Sequence, residues 1–491
     1  MFRSIAVTHR SWANRTGSQT VLAVLIVIGW LGLGWWKHPP PDHLWTYDEP
    51  VYLSIAYDIL HFGRFTDGSA WNTPSVDPER PPGMVRTPLY PLFLAATAAL
   101  DPVFNETLSC HVEHAASLDC PQRAPIPRIL QFLMMAAFYL MLWHIAIRAS
   151  GSRRIGWLSL GLALIVAPIL IRSVNMLMTE ALTLFFTTAA TLAAVETVKA
   201  RRGFGWALVS GAMLGLAGMT RPPFVYLFPA VIAGAMPLIA GRPRWRRGLM
   251  SLAAFSFAGA IVISPWIVRN VIVLGQPDLT SGYAWMALTQ RVAYDQMSWH
   301  QYALFYLCSL PDGNGLGSLL VGPHACGLFQ YDSNYETFYK IGSTTLVQST
   351  LIAAGGPKYQ VSYLLYHYVL SHPIWHALVS IPMAMRGLWI DHYWSLVMAV
   401  LCIPLTWRSL RILDAAMLAV TLPGWIMLAF YAATSANQTR FNLMLIVPFS
   451  LAGGIALDRL LSRNGTYRKM ISKSPGDIHG PASQGSVEAV R

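Results

Sequence analysis

The sequence predicts an all-α integral membrane protein of about ten transmembrane helices, with two large extracytoplasmic loops that carry interfacial helices. Three observations lead there. Of the 491 residues, 54% are hydrophobic and only 12% are charged, where a soluble chain carries about 25% charged residues. The apolar residues fall in long blocks, each about the length a helix needs to cross the hydrocarbon. The basic residues behind the net charge of +12 gather in short clusters between those blocks, which is the positive-inside pattern and not a nucleic-acid-binding surface.

The clusters order the helices. Arg3, Arg10 and Arg15 open the chain, and Arg148/Arg153/Arg154, Lys199/Arg201/Arg202, Arg242/Arg244/Arg246/Arg247 and Arg408/Arg411 follow. The tail adds Arg463, Arg468, Lys469 and Lys473, and all six clusters are assigned to the cytoplasmic side. Spans are then expected at 19–38, 128–147, 155–172, 180–198, 204–220, 223–240, 249–267, 389–407, 415–433 and 443–461. Residues 1–18 become a cytoplasmic N-terminus, 19–461 a polytopic domain, and 462–491 a polar, disordered cytoplasmic tail. The first block is too long, and its Trp35-Trp36-Lys37 flank too bulky, for a cleaved signal peptide.

The first outside loop, 39–127, begins with Tyr47-Asp48-Glu49-Pro50, where two adjacent carboxylates meet the membrane face. Val51 to Leu60 after it reads as a short amphipathic surface helix. Arg86-Thr87-Pro88-Leu89-Tyr90-Pro91 then opens an apolar stretch to Leu100 that is too short to span and fits an interfacial helix. The second outside loop, 268–388, follows Ser264-Pro265-Trp266 and starts with Arg269-Asn270. Its residues 359–387 read as one or two surface helices. His367, His372 and His376 lie there; interfacial solvation is the commoner role for such histidines, with ligation or base chemistry the alternative.

Four of the five cysteines divide evenly between these loops, Cys110 and Cys120 in the first and Cys308 and Cys326 in the second, while Cys402 is alone in the eighth span. Two even pairs outside suit an oxidising compartment. Closing the Cys110–Cys120 loop stabilises the fold by about 3 kcal/mol or a little less. The rival is a metal site, since Cys110-His111-Val112-Glu113-His114 holds ligand types, but its spacing matches no standard zinc pattern. Asn105-Glu106-Thr107 is formally a glycosylation sequon, for which chance is the commoner explanation.

Single charges break the charge rule at the outer helix ends. They are Arg172, Glu180, Arg221, Arg269 and Arg440. Any one such arginine has a bland reading as a side chain snorkelling to lipid phosphate. Several on one face, opposite Asp48, Glu49 and Glu180, form a candidate site for a dianionic or pyrophosphate-like group.

These pieces, in this order, resemble the polytopic glycosyltransferases that take sugar from a polyprenyl-phosphate donor, among them the protein O-mannosyltransferases and the lipid A aminoarabinose transferases. The resemblance runs over about residues 19–460. It rests on Asp48-Glu49, Pro88-Leu89-Tyr90-Pro91, Met178-Thr179-Glu180, Pro265-Trp266 through Arg269-Asn270 and Gly275, and Thr439-Arg440-Phe441 before Pro448-Phe449. It implies Asp48 as catalytic base with Glu49 beside it, and Glu180 as the second acidic position. It implies Arg269 and Arg440 as donor-phosphate contacts, with Arg221 added by location. The chain departs from the O-mannosyltransferases in lacking a large inserted outside domain, which favours a glycolipid or cell-envelope glycan acceptor over protein.

The chemistry agrees. An acceptor hydroxyl needs a base, and a leaving lipid phosphate needs cations aimed at it. Attack opposite the leaving group gives inversion. No Gly-rich phosphate loop or Asp-x-Asp triplet is present, and no cofactor is required, although a divalent metal near Asp48 and Glu180 stays possible. The expected location is the inner cell membrane, with the site facing the periplasm or exterior. The rival class is a multipass transporter or lipid flippase, which places ionisable groups near helix midpoints and shows a two-fold repeat.

Overall fold

The computed structural model describes residues 2–39, 48–69, 75–114, 120–200, 203–239, 245–281, 283–310, 319–322, 325–331 and 336–471. These residues are helical, with no strand among them beyond an isolated bridge between Thr66 and Pro82. Helix α1 (Phe2–Lys37) leads into α2 (Glu49–Phe62), α3 (Leu89–Leu100) and α4 (Pro102–Glu113). Then come α5 (Pro125–Ser150), α6 (Arg153–Ile165), α7 (Ala167–Asn175), α8 (Glu180–Lys199), α9 (Gly203–Thr220), α10 (Leu227–Ile239) and α11 (Trp245–Leu274). The second outside loop holds α12 (Tyr283–Ala293), α13 (Trp299–Cys308), α14 (Phe338–Ser343), α15 (Thr345–Ala354), α16 (Pro357–Leu364) and α17 (Pro373–Leu388). Helices α18 (His392–Arg411), α19 (Ala415–Thr434) and α20 (Ile446–Ile471) follow.

Among the described residues nine helical stretches are long and apolar enough to cross a membrane, and they coincide with nine of the ten expected spans. The chain is a multi-pass membrane protein. The remaining expected span, 155–172, is split into α6 and α7 at Val166. Pro168 explains the break, because it has no N–H to give the carbonyl of Leu164 four residues back. The indole Nε1 of Trp30 donates to that carbonyl instead, at 3.0 Å. A backbone acceptor in an apolar setting is thereby satisfied from α1.

Helices α9 and α11 pack backbone to backbone. A Cβ on Gly211 would lie 1.9 Å from the Phe255 carbonyl oxygen, and one on Gly215 would meet Val262 at 3.0 Å. Glycines four apart give one face where helices approach closely, the usual source of adhesion in lipid.

The structure corrects the reading of α2. It is not a surface helix, since every residue from Glu49 to Asp58 is buried. Helices α3 and α4 cover it, and Tyr52, Leu53, Tyr57, Tyr90, Leu94, Phe104 and Leu108 share one apolar cluster. Asp58 on this helix accepts from Arg80 Nη1 at 2.6 Å and from the Thr66 hydroxyl, which ties the following loop down. Burial pushes the Asp58 carboxyl above the usual range, although Thr66 and Arg80 pull the other way.

Helix α20 runs to Ile471, past the expected end of the last span, and the rest of the tail, 472–491, lies outside the described residues.

In the second outside loop, Arg291 on α12 is fully buried and donates to Asp295 at 2.7 Å, the Ala432 carbonyl at 2.7 Å, and the His376 carbonyl and Ser380 hydroxyl at 2.9 Å. His376 Nδ1 lies 2.6 Å from the other Asp295 oxygen. This histidine is therefore an interior strut between α12, α17 and α19. His367 and His372 are exposed.

Candidate active site

Asp48 precedes α2 as its N-cap residue, yet its side chain makes no capping bond to the helix. Its carboxylate meets two guanidiniums instead. Arg86 Nη2 donates to Oδ1 at 3.0 Å, and Arg440 Nη2 lies 3.6 Å from Oδ2. Side-chain exposures of 13% for Asp48, 9% for Arg86 and 25% for Arg440 make this a partly desolvated cluster with an open side at Arg440. The Arg86 guanidinium also lies over the Tyr52 ring of α2, 5.4 Å from its centroid.

The neighbouring carboxylate has a different task. Glu49 is fully buried, and its Oε1 accepts the backbone N–H of Leu177 at 2.7 Å. It fastens the start of α2 to the turn that ends at Thr179, directly before Glu180. Asp48 thus meets Arg86 and Arg440, while Glu49 ties the start of α2 to the backbone before α8.

Glu180 is the first residue of α8 and is ion-paired with Arg221, whose Nη2 donates to Oε1 at 2.6 Å. Arg221 Nε donates to the Thr179 hydroxyl, also at 2.6 Å. Arg221 and Arg440 both lie close to the Phe441 ring, 5.6 and 5.4 Å from its centroid. A small cleft opens here. Glu180, Arg221 and Arg440 form its polar walls, and Leu184, Phe224 and Leu443 are among its apolar ones. One guanidinium, Arg440, therefore touches both Asp48 and this pocket.

Arg440 is held from behind. Its Nε donates to the Gln438 side chain at 2.7 Å. The preceding backbone is clamped by Tyr331, whose hydroxyl reaches the carbonyls of Ala436 and Asn437 at 2.7 and 2.8 Å. The Tyr331 ring lies under the Arg386 guanidinium at 3.9 Å, and burial raises the pKa of its phenol. Asn442 Nδ2 donates to Asn437 Oδ1 at 2.7 Å, closing the segment on itself.

Arg269 is placed in a different role. Its Nη1 donates to the Gly83 carbonyl at 2.7 Å and its Nη2 to the Phe65 carbonyl at 2.9 Å, and the guanidinium lies over Trp266. These bonds commit it to the first outside loop. Arg172 is exposed at the end of α7. Arg86 is the residue that sequence reasoning passed over; its only signal was a basic residue opening the Pro88 segment outside the positive-inside clusters.

Both expected disulfides are closed, Cys110–Cys120 and Cys308–Cys326, so neither Cys110 nor Cys120 has a thiolate to offer a metal. Among the described residues no group of three or more His, Cys, Asp or Glu side chains converges. Asp48 and Glu180 each face guanidinium, a donor set that suits an anion rather than a divalent cation.

Residues 125–268 match the model of the family described as dolichyl-phosphate-mannose-protein mannosyltransferase. This bears out the resemblance carried by the sequence motifs. The matched stretch runs from α5 into α11 and contains Glu180 and Arg221, whereas Asp48, Arg269 and Arg440 lie outside it. No curated protein matches the chain significantly.

Among solved structures, the chain is similar to the Archaeoglobus fulgidus oligosaccharyltransferase in complex with Zn and sulfate, at 12% identity and a TM-score of 0.45, over 93% of this chain and 51% of that one. The archaeal oligosaccharyltransferase AglB from Archaeoglobus fulgidus, in complex with an inhibitory peptide and a dolichol-phosphate, gives 10% identity and a TM-score of 0.46, over 96% of this chain and 52% of that one. The present chain thus spans about half the length of the archaeal enzyme. ArnT from Cupriavidus metallidurans, bound to undecaprenyl phosphate, gives 13% identity and a TM-score of 0.34, over 95% of this chain and 81% of that one.

Proposed function

We propose that this protein transfers a sugar from a polyprenyl-phosphate donor to an acceptor hydroxyl, at the extracytoplasmic face of the inner cell membrane and with inversion. The observation that carries the reading is Arg440, which contacts Asp48 at 3.6 Å and also walls the pocket shared with Glu180 and Arg221. A base and a leaving-group cradle thus stand side by side.

In the proposed step the acceptor oxygen attacks the anomeric carbon while the bond from that carbon to the phosphate oxygen breaks. The acceptor proton passes to Asp48, and the electron pair of the broken bond goes to the phosphate, whose charge Arg221 and Arg440 answer. The longer of the two contacts to Asp48 is the one to Arg440. A phosphate drawing Arg440 toward the pocket leaves Asp48 Oδ2 available to the acceptor, with Arg86 still fixing Oδ1. Glu180 orients Arg221. Arg269 supports the loop around the site rather than touching the phosphate. No metal enters this step, and a glycolipid or cell-envelope glycan is the acceptor we favour.

The test is release of polyprenyl phosphate from polyprenyl-phospho-sugars in membranes that hold native acceptor lipids. Wild type and Asp48→Asn are compared. The amide cannot take the proton, so release should fall by about a hundredfold or more. Equal release from both proteins removes Asp48 from the mechanism, and no release from either protein with any donor favours the transporter class.

A further inference from the structure

The two halves of the candidate site meet behind it in one side chain, Gln131 on α5, and the inference drawn from it rests on the glycosyl-transfer reading. Gln131 is fully buried. A primary amide in such a place is costly unless its donors and its acceptor are engaged. Here they are. Nε2 donates to the carbonyls of Val174 at 2.7 Å and Met176 at 3.1 Å, and Oε1 accepts the Tyr90 hydroxyl at 2.9 Å.

Toward α8, these bonds hold the turn that leads to Glu180. Helix α7 ends at Asn175, so the carbonyls of its last residues have no partner within the helix. Gln131 takes that of Val174, and Arg128, three residues earlier on α5, takes that of Asn175 at 3.2 Å. Met176 is held by Gln131 and Leu177 by Glu49, so four consecutive residues are fixed by side chains of α5 and α2. The next two residues touch the cations of the cleft. Met178 Sδ lies 3.9 Å from Arg440 Nη1, and the Thr179 hydroxyl accepts from Arg221 Nε.

Toward α2, Tyr90 leads to Asp48. Its fully buried ring meets the Tyr52 ring edge-on, with centroids 5.0 Å apart. Arg86 lies over Tyr52 and donates to Asp48.

We propose that Gln131 is a positioning residue that sets the separation between Asp48 and the Arg221–Arg440 pair, acting through Tyr90 on one side and the 174–179 turn on the other. In sugar transfer that separation decides whether the acceptor oxygen, the anomeric carbon and the phosphate oxygen come into line. A misplacement of about 1 Å can cost about a hundredfold in rate. The donor phosphate meets the guanidiniums and not the base, so the effect falls on turnover more than on donor binding.

The experiment follows release of polyprenyl phosphate by the full-length protein in nanodiscs of native membrane lipids. Wild type, Tyr90→Phe, Gln131→Met and the double variant are compared. Titration with undecaprenyl phosphate counts the binding sites in each preparation, and kcat is expressed per site. A merely structural role changes the number of sites and leaves kcat per site alone. Tyr90→Phe cuts only the bond to Oε1 and should lower kcat by about fivefold, the scale of one lost hydrogen bond. Gln131→Met should lower it by about tenfold or more, with KM for the donor within about threefold of wild type. The double variant should fall no further than Gln131→Met, because both changes break the same bridge. Unchanged kcat in either single variant overturns the inference and leaves sugar transfer standing. So does a rise in donor KM at constant kcat, or a loss in the double variant equal to the product of the two single losses. If Gln131→Met yields no titratable sites, kcat and KM of Tyr90→Phe decide in the same way. No release by wild type overturns the transfer reading together with the inference.

Discussion

Arg440 Nη2 and Asp48 Oδ2 meet at 3.6 Å, while Nε of the same guanidinium donates to Gln438 at 2.7 Å. The shorter of these two contacts is the one at Nε. On the proposed function, that arrangement would let Nη2 shift from the carboxylate to an incoming phosphate while Nε keeps its bond to Gln438.

Replacing Arg440 by glutamine should therefore lower turnover by about a hundredfold or more, the scale on which removing a donor from a developing anion acts. Arg440→Lys keeps the charge but loses the fork that Gln438 holds, so it should recover only a small part of the rate. Steady-state release of lipid phosphate with both variants checks this, and full activity of Arg440→Gln would take the residue out of the site.

Tyr331 should act on the donor through Arg440. Tyr331→Phe removes the hydroxyl that holds the carbonyls of Ala436 and Asn437. One such bond is worth about 1 kcal/mol. We expect KM for the donor to rise by about fivefold, with kcat less affected. A fall in kcat at unchanged KM would contradict this positioning role.

The first loop should respond to pH through Asp58. Its carboxyl is raised in the folded state from the ordinary value of 3.8, so the folded state holds the proton more tightly than the unfolded one. Stability is then greatest below the ordinary value, falls as pH rises toward the raised value, and levels off above it. Hydrogen exchange of residues 48–69 across mildly acidic pH should show this decline in wild type and a flat profile in Asp58→Asn. A loop that instead gains protection as pH rises would reverse the assignment.

Gly211→Leu should separate α9 from α11. The added side chain meets the Phe255 backbone, which has no room to give way. A loss of about 1–3 kcal/mol is expected for overpacking of this kind. Thermal unfolding in detergent measures it, and Gly205→Leu, where a Cβ meets nothing within 4 Å, serves as the control.

Much of the membrane architecture was legible because hydrophobic length and basic clusters report directly on the bilayer. The split of the third span was also written in the chain, at Pro168, but reading it required knowing that Trp30 would take the carbonyl that the proline abandons. The burial of α2 was hidden for a different reason. A helix with polar and apolar residues interleaved looks like a surface helix until the covering elements are known, and α4, which covers it, had given no signal as a helix of its own. Charge standing against context marked Asp48, Glu180, Arg221 and Arg440, and the structure brings these four side chains together. Side-chain direction was not legible. Nothing in the pair Asp48-Glu49 says that one carboxylate faces guanidinium and the next caps the N–H of Leu177, and nothing in Arg269-Asn270 says that carbonyls of a distant loop claim the arginine.

The Cys308–Cys326 bond lies in the loop that carries Tyr331, and Tyr331 holds the backbone leading to Arg440. On the proposed orientation this makes catalytic competence a late event in biogenesis. On the proposed function, a newly inserted copy whose second loop has not yet met an oxidant lacks one covalent tie in the loop that carries the Tyr331 anchor of Arg440. On that reading it would become fully able to work only once the loop stands on the oxidising side of the membrane. The bond would then serve as a certificate of correct topology, issued by the compartment itself.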